Sequence, residues 1–157
     1  MPKRIMVDMS VTLLHHGHIR LLKKAADLGE VVVALTTDEE IISAKGYTPE
    51  LSFEHRKEII ESICYVSEVV PSPWQIDEAF LDTHSCEALV HGHDNSNQIP
   101  LERLIIFPRT EGISSSVLRE RILDSLIALN LHGKPGSGSD AIARLLIETI
   151  KREFKLE

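Results

Sequence analysis

Val31-Val32-Val33-Ala34-Leu35 is an uninterrupted apolar run of strand length. A strand with one wet face would alternate apolar and polar residues, so this run needs cover on both faces. Helical patterns flank it. His18 to Leu28 places Ile19, Leu22, Ala25 and Ala26 on one side and stops at Gly29. Arg4 to Met9 reads as a strand before that helix. After the run, Thr37 is placed to cap a short helix with Asp38, Glu39 and Glu40 in its first turn.

The alternation continues along the chain. Lys45 to Pro49 reads as a loop, Ser52 to Ser62 as an amphipathic helix, and Val66, Val69 and Val70 as a third strand closed by Pro71 and Pro73. Ile76 to Thr83 reads as helix, Ala88 to Val90 and Leu104 to Phe107 as strands, and Ser114 to Leu131 as a further helix. Strands alternating with helices predict an α/β fold: a Rossmann-like open parallel sheet with helices on both faces. Ligands of such sheets bind at the carboxyl ends of the strands. The segments Leu14 to Ile19, Lys45 to Pro49, His91 to Asp94 and Arg109 to Ser116 are all expected on that edge.

Residues 1–131 are expected to form the domain and 132–139, rich in Gly and Ser, a linker. Residues 140–157 are expected to form a C-terminal helical appendage, capped by Asp140, with Ile142, Leu145, Leu146 and Ile150 on one stripe. The net charge of −7 argues against a general nucleic-acid binder but not against a small anionic ligand. Cys64 and Cys86 show no CxxC or zinc spacing and are expected as reduced core thiols in a cytoplasmic protein. No signal peptide is visible, and no apolar run reaches membrane-spanning length.

Two segments suggest chemistry. Leu14-His15-His16-Gly17-His18-Ile19 lies where a strand turns into a helix. A helix N-terminus there offers outward N–H groups and a dipole that favours negative charge. His15 and His18 can donate to the same anionic oxygens, while His16 is expected to point away. A helix cap is the plainer alternative for one histidine. A zinc site using His15, His18, His91 or His93 is another, although no Cys or carboxylate spacing supports a closed one. The second segment, Arg109-Thr110-Glu111-Gly112-Ile113-Ser114-Ser115-Ser116, joins a forked cation to serines at a helix start, which suits a polyphosphate.

Together these segments resemble the nucleotidyltransferase superfamily with the His-x-Gly-His signature. More narrowly the chain resembles the glycerol-3-phosphate cytidylyltransferase branch over about Arg4 to Ile122, a resemblance that includes Thr37-Asp38-Glu39, Phe53-Glu54-His55-Arg56-Lys57 and Tyr65 to Val70 and whose most specific part, Arg109 to Ser115, points to CTP. The resemblance implies a CTP-dependent enzyme that transfers CMP to an anionic oxygen and releases pyrophosphate, with Mg²⁺ carried by the nucleotide. It implies catalytic roles for His15, His18 and Lys45, the last reaching phosphate from its loop. It implies nucleotide binding by Met9, Ser10, Gly17, Gly92, Asp94, Arg109, Thr110, Gly112, Ile113, Ser114 and Ser115. Thr12, Arg56, Trp74 and His91 are the candidates for the acceptor, Trp74 alternatively being a packing residue. No protein-held metal is expected, and a homodimer is.

The chain also departs from that branch. Met9 replaces a glycine, Thr12 an acid and Cys64 an arginine. Asp77 falls near an expected lysine, and the Lys45 loop holds one basic residue. Fewer cations at the acceptor end make glycerol 3-phosphate a weaker fit, and a phosphonate becomes the expected acceptor, with phosphate monoesters next. An ATP-dependent adenylyltransferase, a non-catalytic CTP-binding module, and an activating partner docked through the C-terminal helix are the competing functions.

Overall fold

The computed structural model describes residues 3–131, 145–146, 148–150 and 152. It contains two compact units, Met1–Glu111 and Gly112–Glu157. The first holds five strands, β1 (Arg4–Met9), β2 (Glu30–Thr36), β3 (Glu68–Ser72), β4 (Ala88–Gly92) and β5 (Leu104–Phe107). All pair in parallel, in the order β3-β2-β1-β4-β5. Its helices are α1 (His16–Ala26), α2 (Asp38–Lys45), α3 (Phe53–Glu61) and α4 (Glu78–Thr83).

The Val31 to Leu35 run is β2, and every residue in it is fully buried. It lies between β1 and β3, so its pleat alternates between two cores. On one face Ile5, Val7, Val31, Val33 and Leu35 pack with Leu22 and Ala25 of α1 and Ile60 of α3. On the other, Met6, Val32, Ala34 and Leu89 pack with Leu81 of α4, Ile76 and Ile99. The sheet is therefore covered by helices on both sides, as the apolar run demands.

Several boundaries differ from the sequence expectation. Helix α1 starts at His16, because His15 takes an extended conformation as its N-cap; both later histidines thus fall in its first turn. Lys45 belongs to the last turn of α2, and the chain leaves that helix at Gly46 with φ 76°. A left-handed residue is the usual way to end a helix, and glycine takes it without strain. Pro71 lies inside β3 rather than after it. That position is tolerated because β3 is an edge strand, where one row of N–H groups has no partner to lose. Cys86 is buried as expected, but Cys64 is exposed after α3.

Arg56 is a further correction. Its side chain has no exposed surface. The guanidinium donates to the carbonyls of Leu51, Ser10 and Thr36, and it pairs with Asp38 at 2.6 Å. A buried cation needs such acceptors, and with its side chain wholly buried Arg56 presents no surface to an acceptor molecule. Thr12 is also removed from the acceptor set, at 1% exposure. Asp77, near the expected lysine, accepts from Phe80 N–H at 2.9 Å and caps α4.

In the second unit, α5 (Ser115–Leu131) follows Ser114, whose Oγ accepts from Val117 N–H at 3.1 Å. The expected linker at 132–139 and the start of the helix at 140 lie outside the described residues. Leu145, Leu146 and Ile150 are helical and exposed.

Replacing Arg56 with Met should strand three carbonyl acceptors and lower the free energy of unfolding by about 3 kcal/mol in urea titration. Wild-type stability with a weakened acceptor KM would restore Arg56 to substrate binding.

Candidate active site

Strand order reverses between β1 and β4, since β2 and β3 lie beyond one and β5 beyond the other. The carboxyl ends of β1 and β4 therefore flank a crevice, the usual ligand position in an open parallel sheet. The chain leaves β1 through Val11, a buried residue at φ 46°. A β-branched residue in the left-handed region is strained, and such strain tends to collect at functional turns. The histidine turn follows at once.

His15 accepts from His18 N–H through its carbonyl at 3.0 Å. In return, His18 Nδ1 accepts from the backbone N–H of His15 at 3.2 Å. Nδ1 must then be unprotonated, which leaves the His18 proton on Nε2 and fixes the ring as a donor there. The two rings stack, with centroids 3.8 Å apart and planes at 25°. His15 Nδ1 is buried and has no hydrogen-bond partner among the described residues. His16 is exposed, and Gly17 lies between the two in the first turn.

Both imidazoles are held neutral. Burial lowers the His18 pKa from 6.5 to about 3, helped by the charges of His15, Arg109 and Lys45. Burial, then His16 and Arg109, lower that of His15. Lys45 and Arg109 thus act on His18 from α2 and from the segment after β5. Lys45 Nζ also lies over the Trp74 ring, 5.3 Å from its centroid, and Trp74 N–H donates to Glu40 at 2.8 Å. Lys45, expected to reach phosphate, and Trp74, expected at the acceptor, are brought together by this contact.

On the other side, Arg109 is paired with Asp94 at 3.4 Å. Gly92 makes room for this pair, because a Cβ there would lie 2.9 Å from Asp94 Oδ1 and 3.7 Å from Arg109 Cγ. His91 Nε2 is 3.5 Å from Asp8 Oδ2, and its Nδ1 is 3.9 Å from Asp94 Oδ1. Thr110 is half-buried beside Arg109. Ser10 donates from Oγ to Thr36 Oγ1 at 3.4 Å. Met9 puts its side chain into the core at 7% exposure. In the second unit Gly112 turns the chain at φ 71°, Ile113 is buried, and Ser114 and Ser115 open α5.

Asp8, Asn97 and Val11 were not singled out in the sequence. Asp8 carried a signal, being a lone acid inside an apolar strand. Among the described residues no group of three or more His, Cys, Asp or Glu side chains is assembled to hold a metal.

Neutral N–H donors at a helix N-terminus, under the field of two cations, are suited to phosphate oxygens whose charge grows during reaction. On this sheet and at this switch point, that defines a nucleotidyltransferase. Residues 12–121 match the family model described as Cytidylyltransferase-like, and the chain belongs to that family. The glycerol-3-phosphate cytidylyltransferase of Bacillus subtilis (strain 168) is 37% identical over 128 residues, covering 76% of this chain and 97% of that protein. The ethanolamine-phosphate cytidylyltransferase of Dictyostelium discoideum is 32% identical over 134 residues, or 78% of this chain and 37% of that protein. The crystal structure of a lipopolysaccharide core biosynthesis protein from Thermoplasma volcanium GSS1 has the same fold, with a TM-score of 0.60 at 17% identity. It covers 71% of this chain and 100% of that one. No helix among the described residues is long and apolar enough to cross a membrane.

The neutral His18 has a consequence for stability. Its folded pKa is below its unfolded value, so the unfolded chain binds the extra proton between pH 6.5 and about 3. Stability contributed by the neutral ring is complete above pH 6.5 and falls on acidification through that window. Relative to His18→Asn, which keeps a short acceptor for the His15 N–H, the wild type should lose about 2 kcal/mol between pH 7 and 5. Parallel urea midpoints for the two proteins across that range would refute the assignment.

Proposed function

We propose that this protein transfers CMP from CTP to a small phosphonate and releases pyrophosphate. The observation that carries the reading is the neutral, stacked His15–His18 pair at the switch point, with Lys45 and Arg109 close enough to perturb it. An anionic oxygen of the acceptor attacks the α-phosphorus in line. A new P–O bond forms as the bond to the β-phosphate bridging oxygen breaks, and pyrophosphate departs with the electron pair. No base is required, because the attacking oxygen is already ionised. His18 Nε2–H and His15 donate to the α-phosphate oxygens as charge builds on them. Arg109 meets the departing phosphates, and Thr110 and the Gly92–Asp94 turn approach the nucleoside. Mg²⁺ enters as part of the nucleotide complex and belongs to the substrate.

The acceptor end supports the phosphonate choice. Arg56 and Thr12 are buried in the fold, and Asp77 caps a helix. Of the basic residues considered at that end, Lys45 is left, above the Trp74 ring. A single cation beside an aromatic ring suits a small singly anchored PO3 group, and the phosphonate choice rests besides on the departures at Met9 and Thr12. The second reading is a phosphate monoester, favoured by the 37% identity to a glycerol-3-phosphate cytidylyltransferase. A homodimer goes with either reading and is checked by light scattering.

Incubation of the protein with Mg·CTP and a panel of phosphonates, glycerol 3-phosphate and phosphoethanolamine should release pyrophosphate fastest with a phosphonate. Faster turnover of a phosphate ester would overturn the acceptor, and preference for ATP would overturn the nucleotide. His18→Ala should lower kcat by roughly 10²–10³-fold, with near-normal turnover rejecting its role at the α-phosphate.

A further inference from the structure

On the second face of the sheet, the apolar stack gives way to polar groups at the carboxyl edge. Met6 and Leu89 are register partners in β1 and β4 and belong to the buried core there. Two residues on, the pleat brings Asp8 and His91 to the same face of the same two strands. Asp8 is 9% exposed. Its Oδ2 accepts from Asn97 Nδ2 at 2.7 Å, and Asn97 Oδ1 accepts in turn from Ile76 N–H at 2.7 Å. The same oxygen, Oδ2, thus takes the hydrogen bond from Asn97 and lies 3.5 Å from His91 Nε2. His91 Nδ1 is 3.1 Å from the Gly92 carbonyl and 3.9 Å from Asp94 Oδ1. Asp94 completes the row by pairing with Arg109.

We propose that His91 is a positioning residue: set between the buried Asp8 carboxylate and Asp94, it holds Asp94 against Arg109 and so fixes the cation that meets the nucleotide. The row runs from Asp8 through His91 and Asp94 to Arg109, with the imidazole between two carboxylates. His91 Nε2 faces the Asp8 carboxylate and Nδ1 faces the Gly92 carbonyl, so each ring nitrogen has an acceptor before it. Burial raises the Asp8 pKa, the Asn97 hydrogen bond and His91 oppose the rise, and Asp94 adds to it. His91 faces two carboxylates, and the attacking oxygen of the proposed reaction needs no base. This role replaces the acceptor contact expected of His91 from the sequence. It rests on the proposed function insofar as Arg109 meets CTP.

The test is steady-state kinetics of His91→Leu and His91→Gln with Mg·CTP and an acceptor turned over by the wild type, together with direct Mg·CTP binding by calorimetry. His91→Leu should raise both KM and Kd for CTP about tenfold, lower kcat less than threefold, and leave the acceptor KM unchanged. His91→Gln, which keeps an N–H donor toward Asp8, should recover most of the CTP affinity. In an Asp94→Asn background, His91→Leu should add less than about twofold, because the link it supports is already broken. A raised acceptor KM, effects that multiply in that background, or unchanged CTP affinity in a folded His91→Leu protein would each overturn the proposal. Failure of the wild type to bind Mg·CTP would overturn the proposed function and this proposal together; the other outcomes leave the proposed function standing.

Discussion

The Arg56 guanidinium reaches from α3 to the carbonyl of Ser10 just beyond β1, to that of Thr36 at the end of β2, and to Asp38 in the first turn of α2. Those carbonyls lie at the carboxyl edge, past or at the limit of ladder pairing. Without a donor they would be buried acceptors facing nothing. One planar cation satisfies them together and sets the spacing of two strand ends and two helices. The histidine turn begins just past Ser10, and Lys45 sits at the far end of the helix that Asp38 opens. The positions of catalytic candidates on two different elements thus depend on a residue that has no surface for a substrate.

The site itself rests on a different balance. Two stacked imidazoles this close cannot both be charged at small cost, and burial favours the neutral form. Neutral rings accept a definite pattern of hydrogen bonds, and the His15 N–H takes the only lone pair on His18 Nδ1. The turn therefore orients a donor before any ligand arrives, so its geometry need not reorganise as charge develops. Lys45 and Arg109 supply the positive charge that the histidines do not carry.

Much of this was legible in the chain. The five-residue apolar run required a doubly covered strand, and the helix and strand patterns around it placed all five strands and the histidine turn. The spacing of His15 and His18 and the Arg109 segment led to the family. What misled was chemistry that sequence spacing leaves open. Arg56 sits in a polar-looking helix start, and only the fold reveals that its partners are three backbone carbonyls and Asp38. Lys45 to Pro49 reads as a loop in the sequence, yet Gly46 ends a helix whose last residue is Lys45. Asp8 interrupts an apolar strand, which is a warning that a buried charge has partners far along the chain; Asn97 and His91 are such partners. Val11 gave no signal, since β-branched residues ordinarily avoid the conformation it adopts.

Pro71 bears on how this molecule can meet others. An exposed sheet edge is an open template, and a neighbouring chain can lengthen the sheet by pairing with it. A proline in the middle of β3 breaks that template, because one donor is missing and the ring occupies its place. Growth of the sheet across this margin is blocked, and fibre-like stacking of copies edge to edge is discouraged along it. Contacts between copies on that side are left to side chains rather than to backbone ladders.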